Sequence, residues 1–457
     1  MAMTVSAPAS HSPAPVAPPP ADALFAPGRR AACVGAVALI SMLAFESIAV
    51  ATAMPAVAQG LNGLGLYALA FGATLATSVL GMVAAGELCD KRGPYRATLG
   101  GLALFLAGLL LAGFAQHMGH LVLGRALQGL GSGVLGVSLY VGVARVIPPA
   151  LHPRLFALFA AAWVMPGLLG PALASGLVQV LGWRAVFLAV AAVVPVAAAL
   201  MLPSLRRAGG GSGDVLRWTR LGWALLASGG ALALHAASQQ QALGQGLLFA
   251  GGLLAALTAA HRLLPAGALT AARGLPTVIL LRGLIAAAFA SAEAFIPLLL
   301  TGEFGWSLGQ AGLALSAGAV TWSLGSAIQA RVSGDVWRRR LLTAGFTLAS
   351  AGLLLVMSPL LLSWPAALVL AGWACTGLGI GLSFPMLSVL LLKLSPPDRQ
   401  GANASALQLS DALTSSAALA LAGLLFDPAS RQVLPVLALA WALAAAAAWL
   451  SPRAWKA

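Results

Sequence analysis

Three acids, Glu46, Glu293 and Asp411, stand inside long apolar stretches of this sequence, and so does Arg125. A carboxyl group among apolar residues is suited to taking up and releasing a proton, and a guanidinium is suited to pairing with it. Glu46 lies in FESIAVATAMP, nine residues ahead of Pro55, and Glu293 precedes Pro297. Asp411 follows Asn403, Ser405, Gln408 and Ser410 and precedes Thr414, Ser415 and Ser416. Positions 404, 408, 411 and 415 share a helical face, so Gln408, Asp411 and Ser415 form a polar stripe. Such a stripe is costly against lipid and reads as cavity lining. Asp411 could carry protons, bind substrate or hydrogen-bond its neighbours. Other chemistry finds no residues to carry it. There is no Ser/His/Asp set, P-loop or paired-cysteine motif, so enzymatic activity is not expected. The cysteines, Cys33, Cys89 and Cys375, lie far apart and read as core residues. His117 and His120 lack a further ligand, so no metal site and no cofactor is expected.

The elements that must position these groups follow from composition. Of 457 residues, 60% are hydrophobic and 8% charged, against about 25% charged in a soluble domain. The net charge of +14 would suggest nucleic acid in a soluble protein, but there is too little polar surface for such a face. An all-α integral membrane protein is expected. A helix needs about 20 apolar residues to cross the hydrocarbon. Such runs fall at about 31–57, 64–87, 96–116, 121–146, 154–181, 184–203, 219–238, 246–265, 276–300, 308–330, 340–360, 365–393, 402–426 and 431–451, predicting fourteen spans. Glu46 then lies about 22 Å into its span and Arg125 about 6 Å inside the outer end of the fourth. Arg125 either faces the interior or snorkels to the outer headgroups.

Lys and Arg segregate. All fall in one alternating set of segments, Arg282 counted among them, except Arg125, Arg184 and Arg431. That pattern places both termini in the cytoplasm. The Ala-, Pro- and Ser-rich residues 1–30 read as a disordered cytoplasmic tail, and 452–457 as a second tail. Gly81 to Gly101 aligns without gaps to Gly325 to Gly345. The chain divides into two six-helix bundles, 31–203 and 276–451, around a linker and two inserted helices in 204–275. Two parallel six-helix repeats with a midplane site describe a transporter plan.

GELCDKRGPYR, residues 86–96 between spans 2 and 3, resembles the GxLaDrxGrr loop of the major facilitator superfamily. The resemblance implies that Gly86, Asp90, Gly93 and Arg96 form a gate, with Asp90 meeting the start of span 13 near Gly401. Pro94 and Tyr95 stand where two basic residues are usual, leaving Arg96 as the relay. LGRALQGLGSG, residues 123–133, resembles the family's RxxqGxg motif, in which the arginine tunes the protonatable acid. Gly167, Gly170, Pro171 and Gly176 in span 5 resemble the antiporter motif of its exporters, with Ala174 and Ser175 replacing the usual glycine pair. Span 1 resembles the LDxTIVNVALP signature of the fourteen-helix drug:proton antiporters, with Glu46 in place of aspartate.

These resemblances imply the major facilitator fold and an alternating-access exporter driven by the proton gradient. Glu46 would be the main proton carrier, tuned by Arg125, with Glu293 and Asp411 as further coupling acids. Glu46, Gln408, Asp411, Trp163 and Trp322 would line the substrate cavity. Hydrophobic, cationic drugs or toxic compounds fit the cavity acids. A dedicated exporter of an endogenous metabolite or lipid is the alternative, and a proton-coupled nutrient importer a more distant one. The expected partners are a small substrate, protons and the bilayer, with no nucleic acid. Nothing points to a protein partner, and a monomer is expected. The Ala-, Gly- and Arg-rich composition suits a GC-rich bacterium and thus a bacterial plasma (inner) membrane.

Overall fold

The computed structural model describes residues 24–26, 29–148, 151, 155, 158–159, 161–207, 209, 218–237, 242–332, 334–396, 400–427, 429–430 and 432–455. Most of the linker and of the N-terminal tail, with Arg154, Arg217, Arg399, Arg431 and Lys456, lies outside these residues. The described chain forms α1 (Arg30–Gly60), α2 (Tyr67–Arg92), α3 (Pro94–Gly113), α4 (Met118–Val146), α5 (Val164–Leu181), α6 (Arg184–Arg207) and α7 (Trp218–Ala237). It continues with α8 (Ala242–Leu263), α9 (Leu275–Gly302), α10 (Leu308–Arg331), α11 (Asp335–Leu362), α12 (Ala367–Leu394), α13 (Gln400–Leu425) and α14 (Leu434–Leu450).

Local chemistry sets many of the boundaries. Gly93 ends α2 with φ of 83°, and Pro94 opens α3. Glycine tolerates that left-handed backbone, and proline loses nothing at a first turn whose amide would be unpaired anyway. Ser307 and Gln310 form a reciprocal capping box on α10. The His117 side chain caps α4 by accepting from the His120 amide at 3.4 Å, so this histidine pair serves the helix start. Among the described residues no cluster suits a metal ion.

Twelve helices are long and apolar enough to cross a membrane among the described residues, and α7 and α13 are not counted in that set. Both carry polar groups that turn inward. Ser228 and His235 of α7, and Asn403, Ser410, Ser415 and Ser416 of α13, are buried. In lipid, such groups are tolerated where other helices satisfy them.

Packing repeats across the two halves. In the first, α1 packs on α5 and α6, α4 on α2 and α3, and α3 on α6. In the second, α9 packs on α13 and α14, α12 on α10 and α11, and α11 on α14. The halves meet along two seams, α2 against α13 and α5 against α10, which the same repeat relates. The inserted α7 and α8 pack together, and α7 covers the α2–α13 seam alone, breaking the symmetry. Ser228 donates to the Ala76 carbonyl at 2.7 Å, while His235 lies against Gly72 and Ser416.

Three expectations change. The fifth span was expected as one run over 154–181, but a turn at Ala162 and Trp163 separates the helical residues Leu155, Leu158, Phe159 and Ala161 from α5, which starts at Val164; Pro166 is then in the first turn, where its missing amide costs least. Leu24, inside the expected disordered tail, is buried, and its carbonyl accepts from the Cys33 thiol at 3.3 Å. Nor is 452–457 a free tail over its described part. Ser451–Ala454 form a short helical turn, Arg453 accepts the Gly274 amide at 2.8 Å, and Trp455 is packed in the core.

Candidate functional site

Glu46 of α1 and Arg125 of α4 form an ion pair, with side chains 6% and 5% exposed. Arg125 faces the bundle interior and does not snorkel. Its Nε donates to the Ala70 carbonyl of α2 at 3.2 Å and its Nη1 to Gln128 Oε1 at 2.6 Å. Three helices therefore converge on one guanidinium. Gln128 is fully buried, and its Nε2 has no partner among the described residues, leaving a spare donor beside the pair. The backbone can approach this closely because α4 is glycine-rich on the α2 side. A Cβ at Gly129 would run into the Thr74 carbonyl and the Thr77 hydroxyl, and Thr77 donates to the Ala126 carbonyl at 2.7 Å.

The second half repeats this interlock with different side chains. Gly124, Gly129, Gly131 and Gly133 of α4 recur in α12 as Gly372, Gly377, Gly379 and Gly381, each seated against a neighbouring backbone. In that register Trp373 occupies the place of Arg125. It stacks on Phe289 of α9 at 4.8 Å between ring centroids, so an aromatic contact stands where the first half has its ion pair. Trp322 meets Phe289 at 5.2 Å and Phe384 at 5.4 Å. Trp163 lies apart, exposed at the N-terminal cap of α5.

Asp411 does not join Glu46 and Arg125. It pairs with Arg282 of α9 at 3.2 Å, the side chains being 29% and 13% exposed. Arg282, counted with the cytoplasmic-side charges although it falls inside the expected span 276–300, lies seven residues inside α9. It also donates to the Phe384 carbonyl at 3.3 Å and Ser388 Oγ at 3.4 Å, and its Cζ lies 3.2 Å from the Phe384 ring centroid. Gln408 is exposed one turn from Asp411. Glu293 is half-buried in α9 and has no hydrogen bond among the described residues. The three acids thus occupy three separate settings: a buried pair in one half, a more open pair in the other, and a carboxyl with no hydrogen bond among the described residues.

The span 5 motif sits on the α5–α10 seam. A Cβ on Gly167 would meet Ala319 at 3.0 Å, Gly312 of α10 lies against Pro171, and Gly170 faces Ile48 of α1. Gly176 faces open space. At the end of the bundle away from the basic loops, the halves are tied together. Tyr67 donates to the Ala294 carbonyl at 2.8 Å and its ring lies 5.2 Å from Phe295; Phe295 in turn lies 5.3 Å from Phe426. At the basic end, Asp90 and Arg96 are exposed. Asp90 makes no hydrogen bond or ion pair near Gly401 among the described residues. The end of α2 is instead held by Arg145 of α4, whose Nη2 donates to the Cys89 carbonyl at 3.4 Å. Gly86 has open space around it.

The family model described as Major Facilitator Superfamily matches residues 34–292 and 278–454. The "Multidrug resistance protein 3" of Bacillus subtilis is 32% identical over 148 residues, 32% of this chain and 29% of that protein. A "Probable multidrug-efflux transporter" of Mycobacterium tuberculosis is 28% identical over 422 residues, covering 86% of both chains. The match spans only about a third or less of the length of several relatives, the first among them. A solved transporter of the POT family in complex with a thioalcohol-conjugated peptide superposes with a TM-score of 0.69 at 15% identity, covering 94% of this chain and 97% of that one. At that identity the likeness concerns the fold.

Proposed function

The chain belongs to the major facilitator superfamily, a multi-pass membrane protein, and on that footing we propose that it exports hydrophobic, cationic compounds in exchange for protons. The observation that carries this reading is the buried Glu46–Arg125 pair, which joins α1 to α4 inside the first half. A carboxylate held by a guanidinium in a dry site gives up its partner when it takes a proton. Proton binding can then be coupled to a rearrangement of the helices that the pair joins. The multidrug-efflux relatives support export as the direction and drugs as the substrate class.

With the basic end cytoplasmic, Tyr67, Ala294, Phe295 and Phe426 would close the outer end, which corresponds to an inward-facing conformation. The exposed Asp90 and Arg96 then belong to a gate whose halves have parted. Asp411 and Gln408, both solvent-accessible, would receive a lipophilic cation; Arg282 already lies over the Phe384 ring and Trp373 on Phe289, which leaves Trp322 as the aromatic wall. Protons entering from outside would neutralise Glu46 and release substrate outward; deprotonation inward would reset the pair.

Everted vesicles with an acidified lumen and a pH dye test this directly. Lipophilic cations are expected to trigger proton loss from the lumen in the wild type, and Glu46→Gln is expected to remove the response. A response that survives in Glu46→Gln but is lost in Glu293→Gln or Asp411→Asn would move the coupling role to that acid. A wild type silent to cations but responsive to neutral amphiphiles would replace the drug reading with that of a metabolite or lipid exporter.

A second expectation concerns the closed end. Tyr67→Phe removes one neutral hydrogen bond between the halves, worth about 1 kcal/mol. Cysteine labelling from the outer face should then reach Ala294→Cys roughly fivefold faster than in the wild-type background. An unchanged rate would mean that the ring contacts with Phe295 alone keep this end shut.

A further inference from the structure

At the basic end of the second half, a cavity of about 860 Å³ opens between α11 and the turn after α14. Arg339 and Arg340 stand at its mouth, Thr347 and Ala351 follow along one face of α11, and Leu382 and Trp455 complete the wall. The gradient from cationic to apolar runs along the helix, over about 18 Å from Arg339 to Ala351. That is the polarity profile of a phospholipid, headgroup first.

Charge at the mouth has no ion-pair partner among the described residues, although Asp335 acts on Arg339 through space. Among the described residues neither Arg339 nor Arg340 has a carboxylate within ion-pair distance, and the nearby Asp335 is bound by Lys393 at 2.6 Å. Both guanidinium groups instead lie over indoles, Arg339 over Trp455 at 4.9 Å and Arg340 over Trp337 at 5.3 Å. Trp337 and Trp449 are 62% and 74% exposed at this end, as indoles are where a helix passes through the headgroup layer. The arginines therefore sit at the depth of lipid phosphates. The feature also belongs to one half alone: Arg338, Arg339 and Arg340 stand where the first repeat has Pro94, Tyr95 and Arg96.

We propose that this cavity binds an anionic phospholipid of the surrounding bilayer, its headgroup between Arg339 and Arg340 and an acyl chain along Thr347, Ala351 and Leu382. Bound there, the lipid bridges α11 and the C-terminal turn, already joined by the hydrogen bond of 2.9 Å between Thr343 and Ser451. It would brace the basic end of the second half.

The test is native mass spectrometry of the full, delipidated chain titrated with phosphatidylglycerol or phosphatidylcholine. The wild type is expected to retain one phosphatidylglycerol with a preference of about tenfold or more. Arg339→Ala/Arg340→Ala should reduce that preference to near parity, whereas Arg206→Ala/Arg207→Ala, at the same end of the first half, should keep it. Ala351→Trp fills the floor but leaves both guanidinium groups, and should lose retention as well. Equal retention of the two lipids by the wild type would overturn the proposal. So would equal loss in the Arg206/Arg207 control, unchanged retention in Ala351→Trp, or full displacement by equimolar inorganic phosphate, which would mark a site for free anions.

Discussion

Arg125→Leu is expected to cost about 3–5 kcal/mol of stability, the range for removing one partner of a buried ion pair. The reason is what stays behind: a Glu46 carboxylate 6% exposed, an Ala70 carbonyl without its Nε donor and a Gln128 oxygen without its guanidinium. Glu46→Gln strands the Arg125 guanidinium instead and should cost somewhat less, because that cation keeps its bonds to the Ala70 carbonyl and Gln128 and gains the amide oxygen. The double variant Glu46→Gln/Arg125→Leu should recover most of the loss, giving an interaction energy of about 2 kcal/mol or more in the double-mutant cycle. Acidity supplies an independent check of sign. A proton on Glu46 removes the stranded charge, so the penalty of Arg125→Leu should shrink as pH falls and grow as it rises. Thermal unfolding of the four proteins in one lipid mixture at pH 5 and pH 8 measures both effects. A penalty equal at the two pH values would mean that Arg125 acts by packing and hydrogen bonding, not by balancing charge.

The helices were legible because a span must be apolar for about 20 residues, and the gapless repeat from Gly81 and Gly325 set the two halves in register. The interior position of Arg125 was partly legible: about 6 Å inside the outer end, a guanidinium can turn inward or reach the headgroups, and only Glu46 on α1 decides between them. Arg282 was not. It stands seven residues after Leu275, where an apolar run starts, and a pattern that counts charges by segment assigns it to the nearest loop. Only the packing of α9 on α13 and α12 brings Asp411, Ser388 and the Phe384 ring around it. The aromatic cluster escaped for a related reason. Phe289, Trp322 and Trp373 come from three helices, and no spacing along the chain encodes a contact between them. The break within the fifth span was missed because an apolar run continues through Ala162 and Trp163, and hydropathy does not register a turn.

Arg282 and Asp411 should behave differently from the first pair, and exposure decides by how much. Their side chains are 13% and 29% exposed, so water screens the charges and hydrates whichever is left alone. Asp411→Asn is accordingly expected to cost about 1–2 kcal/mol, below the range for the dry pair. Arg282→Gln should cost more than Asp411→Asn, because Arg282 also holds the Phe384 carbonyl and Ser388 and lies on the Phe384 ring. Swapping the two charges, Arg282→Asp with Asp411→Arg, should therefore fail to restore stability even though the pair is formally conserved. The asymmetry also separates two roles in transport. If Asp411 receives cations in the cavity, Asp411→Asn should raise the apparent KM for a lipophilic cation roughly tenfold and leave a neutral amphiphile almost unaffected. If it carries the proton, the maximal rate should fall for both. A cation KM unchanged within twofold, with both rates preserved, would leave Asp411 only the task of holding Arg282 in place.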